Sequence, residues 1–258
     1  MKSTSSGINS GAASMKYGSG LAYLFRHPSK ALWKLFKRML GQVSPLHRPE
    51  NFVLPSDFNT ILQDNSEDEH NAACDNMYHY GGSLQRQRLV ALAEWSAQHY
   101  SGDFVEIGAF CGDTSKLLAE LAAKHQRRLI VIDPWITGSQ DCDGAEFAAF
   151  QNNIAAVRDH VDVWQASSLD EEIIQRLKKR EVSFAFVDGL HTLKACLSDI
   201  LSVGHTKGVI AIDDTRYNHD LLFSIQHAAN QLNHYAVQDP EFRESFLLPK
   251  KDFSLKKT

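Results

Sequence analysis

Asp103-Phe104-Val105-Glu106-Ile107-Gly108-Ala109-Phe110-Cys111-Gly112-Asp113-Thr114-Ser115 is the stretch whose reading decides the fold. A short apolar run, Phe104, Val105 and Ile107, stops at Gly108, and a second glycine follows at Gly112. Ser115 to Lys124 then reads as a helix with Leu117, Leu118 and Leu121 on one face. The pattern is strand, tight glycine turn, helix. Such a turn brings backbone N–H groups and the positive helix N-terminus beside a ligand over the strand end, and its glycines remove the side chains that would block it. The bland alternative is a turn that only packs a helix on a sheet. The site reading predicts a nucleotide-cofactor pocket at Glu106, Gly108, Ala109, Phe110 and Gly112.

The pyrophosphate fingerprint of dinucleotide enzymes wants G-x-G-x-x-G, and here Phe110 holds the middle position, which disfavours close approach of a pyrophosphate. Glu106, two residues before Gly108, points elsewhere. An acid at this strand end suits a cationic ligand without phosphates, such as S-adenosylmethionine, whose amino group and sulfonium carry positive charge.

Across 258 residues, 43% hydrophobic and 22% charged, the chain can bury a substantial core. Its net charge of -4 hides an asymmetry: Lys2, Lys16, Arg26, Lys30, Lys34, Lys37, Arg38 and Arg48 face only Glu50 in the first fifty residues. The remainder is acidic, which argues against nucleic acid as a partner. Cys74, Cys111, Cys142 and Cys196 show no C-x-x-C spacing, so a reduced compartment fits and no structural zinc site is suggested. No segment approaches the roughly 20 apolar residues of a membrane span. The expectation is a cytoplasmic protein, with contact at the inner membrane surface through one helix.

That helix lies near the start. Residues 1–20, rich in Ser, Gly and Asn, are expected to lack fixed structure. Residues 21–41 carry a basic amphipathic helix: Leu32, Leu35, Phe36, Met39 and Leu40 share a face, with Lys30, Lys34, Lys37 and Arg38 off it. Its 28–40 stretch suits an anionic membrane surface, or packing on the domain or a second subunit. Residues 42–83, with Pro45, Pro49, Pro55 and the acidic run Asp64 to His70, read as an irregular linker and cap.

From residue 84 to 249 strands and helices alternate. A helix over 84–99 buries Leu89, Leu92 and Trp95; further strands are expected at Leu129–Ile132, Val161–Trp164, Phe184–Val187 and Gly208–Ile212, separated by helices at 145–158, 169–179 and up to Val203. A helix from Leu221 leads to Tyr235–Val237, and Ser245–Leu248 can pair back as a hairpin. The expected fold is α/β: a Rossmann-like, doubly wound, mainly parallel seven-stranded sheet with helices on both faces and an N-terminal helical extension. Residues 250–258 are expected to form a loose tail.

In an open parallel sheet, ligands bind outside the carboxyl ends of the strands. There the sequence places Glu106 and Gly108, Asp133, Ser167 and Ser168, Asp188 with His191, then Asp213 and Asp214. Asp133 can take both hydroxyls of an adenosine ribose, Trp135 can stack on the adenine or pack in the core, and Ser167 and Ser168 meet its edge, with Ser168 also reading as a helix N-cap. Asp188, Asp213 and Asp214 would repel one another if left bare. A hard divalent cation relieves that, and oxygen-only ligands favour Mg2+; Asp214 reads alternatively as a turn residue. His191, on the same loop as Asp188, is the natural general base, with a metal ligand or a helix-start histidine as alternatives.

With these residues in place, the chain from 102 to 237 resembles the class I S-adenosylmethionine-dependent methyltransferases, and within them the metal-dependent sugar O-methyltransferases of macrolide biosynthesis and bacterial polysaccharide clusters. The motifs that carry this are Val105-Glu106-Ile107-Gly108-Ala109-Phe110-Cys111-Gly112, Ile132-Asp133-Pro134, Phe186-Val187-Asp188-Gly189-Leu190-His191 and Ile212-Asp213-Asp214-Thr215. The resemblance implies Mg2+ held by Asp188, Asp213 and Asp214, acceptor hydroxyls chelated to it, and His191 with Asp188 as the catalytic pair. It also implies Asp188 beside the cofactor. The chain departs from the branch at Leu190, Leu193 and Lys194, where an acid, a Tyr and often a further acid are expected.

The expectation is therefore O-methyl transfer to a sugar, glycan or other small hydroxylated molecule, by a protein for which a homo-oligomer would be unsurprising. Two other classes stand beside it. A non-catalytic binding or assembly protein could keep the cofactor fold, and an NAD(P)-dependent sugar-modifying oxidoreductase is disfavoured by Phe110 and by the lack of a Tyr-x-x-x-Lys pair.

Overall fold

The structure, a computed structural model, describes residues 43–63, 83–136, 144–215, 218–239 and 244–257. The expected tail at 1–20, the basic helix at 21–41 with its 28–40 membrane face, and the acidic run Asp64 to His70 lie outside those residues.

The strands, in chain order, are β1 Leu46–His47, β2 Phe52–Val53, β3 Asp103–Ile107, β4 Leu129–Ile132, β5 Val161–Trp164, β6 Val182–Val187, β7 Ile210–Ile212, β8 His234–Gln238, β9 Ser245–Pro249 and β10 Ser254–Leu255. The helices are α1 Ser56–Gln63, α2 Ser83–His99, α3 Asp113–Lys124, α4 Glu146–Asn153, α5 Glu171–Leu177, α6 Leu193–Ser202 and α7 His219–Leu232. Eight strands form one sheet in the order β1-β8-β9-β7-β6-β3-β4-β5. Within it, only β9 runs antiparallel to its neighbours, β7 and β8. Seven of these are the expected strands. The eighth, β1, adds two residues along β8 through Leu46↔Ala236 and His47↔Val237.

The central strands read as unbroken apolar runs because both faces are covered. Phe104, Leu129, Val131, Phe184 and Phe186 meet α2, α3 and α4 through Leu89, Leu92, Leu118, Ala122 and Phe150. Val105, Ile107, Ile130, Ile132, Ala185 and Val187 meet α5, α6 and α7 through Ile173, Leu177, Cys196, Ile200, Leu221 and Ile225. Chain order reverses between β3 and β6, whose neighbours β4 and β7 lead away in opposite directions. The crevice at their carboxyl ends is where an open sheet of this kind takes its ligand.

Two sequence expectations need correction. The helix over 145–158 is broken: α4 stops at Asn153, and a 3-10 turn runs over Ala155–His160. The Asn153 side chain donates to the Cys111 carbonyl at 2.8 Å and to Asp113 at 3.2 Å, pinning the helix end to the glycine turn. Residues 250–257, expected to belong to a loose tail, are ordered. β10 pairs antiparallel with β2, and buried Phe253 packs its ring 5.2 Å from Phe58 and 5.5 Å from Trp95. Part of the 42–83 linker is likewise ordered as β1, β2 and α1. Among the described residues no helix is long and apolar enough to cross a membrane.

Candidate active site

The glycine turn is built as its sequence demands. Gly108 and Gly112 sit at φ 86° and 83°, where a side chain is strained, and Phe110 between them also adopts a positive φ of 49°. A Cβ on Gly108 would stand 2.6 Å from the carbonyl carbon of Asp188, so the glycine turn and the acid loop after β6 touch backbone to backbone. Gly112 precedes α3, and a Cβ there would run into the Phe150 ring at 2.7 Å.

Asp133 holds this turn in place. One carboxylate oxygen accepts the Ala109 and Phe110 N–H groups at 2.8 and 3.1 Å; the other accepts the Trp135 N–H at 2.7 Å. A carboxylate offers about four lone-pair sites, so one is left for a ligand. The expectation that Asp133 takes both ribose hydroxyls is corrected in this respect: three backbone N–H groups already occupy the carboxylate and leave room for one further donor. Trp135 is corrected too. Its ring is buried between Phe147 and Phe150, with centroids 4.8 and 4.7 Å away, and its indole N–H donates to the Phe110 carbonyl at 2.8 Å. It offers no face for an adenine.

Glu106 is only 1% exposed and accepts the Ser115 hydroxyl at 2.5 Å. Burial pushes its carboxyl up to about 8; Asp188 and Asp133 push the same way, while the Ser115 bond and Arg86 oppose them. The acid expected to greet a cationic ligand thus lies beneath the turn, braced by the helix that follows it. On the far side of the crevice, Ser167 accepts the Leu169 N–H at 3.2 Å, and the Ser168 side chain hydrogen-bonds to Asp199. Ser168 is not the N-cap. α5 starts at Glu171, with Asp170 in that position.

Asp188 and Asp213 follow paired strands β6 and β7, in which Val187 is in register with Ile212, and this brings their loops side by side. His191 lies between two of the three acids. Its Nε2 is 3.3 Å from Asp188, and its Nδ1 is 3.3 Å from Asp214, whose backbone is held at φ 55°. Asp213 is buried and one of its oxygens accepts the Asp214 N–H at 2.7 Å. The donor chemistry is that of a hard-cation site, yet two of the three acids are paired with the His191 ring. Among the described residues no group of three or more His, Cys, Asp or Glu is arranged to hold a metal ion. In this arrangement Asp188 and Asp214 serve the His191 ring, so the three acids are not set as a ready-made Mg2+ site.

The sequence reading missed Ser115 and Asp199. Each had a signal. Ser115 falls in the first turn of α3, beside the strand-end acid, and Asp199 interrupts the apolar stripe of Cys196 and Ile200 in α6, which Val203 continues just past its end.

Residues 105–215, from β3 to the acid pair after β7, match a protein family described as a methyltransferase domain. No sequence among curated proteins matches the chain. Among solved structures, the chain is similar to the cofactor-bound Rv0187 from MTB, with 15% identity over 86% of this chain and 98% of that one, at a TM-score of 0.50. It is also similar to the SAH-bound Podospora anserina methyltransferase PaMTH1, with 10% identity over 89% and 97% at 0.49. CalS11, a TDP-rhamnose 3'-O-methyltransferase of calicheamicin biosynthesis, gives 13% over 78% and 99% at 0.49. The likeness to the first is one of fold.

Proposed function

We propose that this chain is an S-adenosylmethionine-dependent O-methyltransferase acting on a hydroxyl of a small molecule or glycan, with His191 as general base. The observation that carries the reading is the His191 ring, held by Asp188 and Asp214 over the strand ends next to the glycine turn. It is 42% exposed and so reachable by an acceptor. The methyltransferase-domain match over these same loops supports the reading.

When bound, the cofactor supplies a methyl group on a sulfonium. This chain's part is to place and deprotonate the acceptor. His191 would take the proton of the acceptor hydroxyl that receives the methyl group. Only a doubly protonated ring could donate to Asp188 and Asp214 at once; the neutral ring leaves one nitrogen as acceptor. Glu106, Gly108, Ala109, Phe110, Gly112 and Asp133 would form the cofactor wall, with Ser167 and Ser168 opposite.

The test is calorimetric titration of S-adenosylhomocysteine, then methyl transfer to a panel of hydroxylated acceptors, for the wild type and His191→Ala. The variant is expected to bind the product as the wild type does and to lose roughly 100-fold or more in kcat. Unchanged kcat would remove His191 as base, and absent binding would return the chain to the assembly-protein class. Mg2+ titration separates the metal reading. Because the ring engages Asp188 and Asp214, His191→Ala should bind Mg2+ better than wild type, and tight Mg2+ binding by the wild type alone would show that the cation reorganises these acids.

A further inference from the structure

The crevice is not the only polar feature around the acid loop. Beneath residues 189–191, on the face of the sheet covered by α6 and α7, lies a small, mostly apolar-walled cavity that Gly189, His191, Cys196, Asp199 and Asp213 also line, with room of about 10 Å³ for the centre of a water molecule. That is about one water's worth. Asp199 is 1% exposed, and one of its carboxylate oxygens, Oδ1, is buried without a hydrogen-bond partner. Its other oxygen lies 2.9 Å from where a Cβ on Gly189 would stand, and Ser168 hydrogen-bonds to the same side chain. Asp199 therefore touches both walls of the crevice: the loop after β5 through Ser168, and the loop after β6 through Gly189.

A carboxyl oxygen buried without a partner is destabilising, and more so when charged. Burial pushes the Asp199 carboxyl up to about 6, with the Ser168 bond opposing it. The neighbouring Cys196 thiol, pushed up to about 12 chiefly by burial and then by Asp199, stays neutral. A cavity of one-water size beside an orphaned carboxyl oxygen is a setting in which buried water is kept.

We propose that one buried water molecule, bound to Asp199 Oδ1 and to the underside of the 189–191 loop, makes Asp199 a positioning residue that holds His191 at its place over the crevice. It acts through the loop and touches neither cofactor nor acceptor. The role assigned to His191 rests on the methyltransferase reading; the water and the brace do not.

The first test is a crystal structure of the full chain at a resolution that shows ordered water. The expected result is a solvent peak within hydrogen-bond distance of Asp199 Oδ1 and of the loop. A dry cavity overturns the proposal, as does a peak whose coordination marks it as a metal cation. The second test is amide hydrogen exchange over 189–192 in Asp199→Ala and Asp199→Asn. Asn keeps an acceptor for Ser168 and a donor for the water, so its exchange should stay near wild type, whereas Ala should speed it roughly tenfold or more. Equal acceleration in both, or none in either, refutes the brace. Should the Ala variant fail to fold, the Asn variant still decides through its solvent peak and its exchange. Neither readout requires turnover, so loss of the methyltransferase reading would leave them standing. If that reading holds, Ala should lower kcat about tenfold to a hundredfold, with rescue by Asn.

Discussion

Glu106→Gln isolates the most perturbed carboxyl beside the crevice. In the folded chain Glu106 is raised from 4.5 to about 8, chiefly because burial disfavours its charge. At pH 7 it therefore keeps a proton that the unfolded chain has lost. A group raised in this way contributes its stability fully below pH 4.5 and loses it as pH rises through 8. Between the two values stability falls by about 1.36 kcal/mol per pH unit, roughly 5 kcal/mol over the whole interval and about 3 kcal/mol between pH 5.5 and 8. That is a sizeable part of the 5–15 kcal/mol that separates an ordinary domain from its unfolded state. Gln fills the same space, can accept the Ser115 hydroxyl, and does not titrate. Urea unfolding of both proteins at pH 5.5, 7 and 8.5 at fixed ionic strength checks this. The wild type should lose stability relative to the variant by about 3 kcal/mol across the series, with groups such as Asp199 and His234 cancelling in the difference. Parallel profiles would show that Glu106 is ionised in the folded protein and would refute the burial argument. A cationic ligand adds a second readout. By favouring the ionised carboxylate it should release a proton on binding near pH 7, seen as a buffer-dependent binding enthalpy, and this release should vanish in the variant.

Gly108→Ala adds a side chain at φ 86° against the Asp188 carbonyl, where no rotamer relieves the overlap. The left-handed conformation costs about 1–2 kcal/mol and the overpacking about 1–3 more, so denaturation should show a loss of roughly 3 kcal/mol or above; a change under 1 would mean that the two loops part easily. Asp133→Asn turns one acceptor oxygen into an NH2 group facing a backbone N–H. It should cost about 2–4 kcal/mol in the same measurement and weaken S-adenosylhomocysteine binding, and a neutral outcome in both would deny Asp133 its part in holding the turn.

The sheet was legible because its strands are apolar runs with glycine or acid at their ends, a pattern that burial on both faces imposes. Strands β4 and β5 fall on the residues the sequence predicts. What local pattern does not carry is a long-range partner. Leu46–His47 and Ser254–Leu255 are too short and too weakly patterned to announce themselves, and each exists only because a strand distant in sequence offers an edge, β8 for one and β2 for the other. Trp135 shows the same limit at the site. Proximity to Asp133 is visible in sequence, but its burial depends on Phe147 and Phe150, which approach from another helix.

The acids show why a site can be located from sequence while its contacts cannot. A strand end leaves backbone N–H groups without ladder partners, and the nearest carboxylates satisfy those before any ligand arrives. Asp133 accepts three such groups and Asp213 one, while Glu106 takes the Ser115 hydroxyl. Asp188 and Asp214 turn to His191. Polar groups fixed in this way are already oriented in the folded protein, so a reaction need not reorganise them, and their ordering is part of folding. The acids that mark the site in the sequence thus mostly shape it. On the proposed function, direct contact with cofactor and acceptor would fall to the remaining acceptor position on Asp133, to the glycine turn and to the His191 ring.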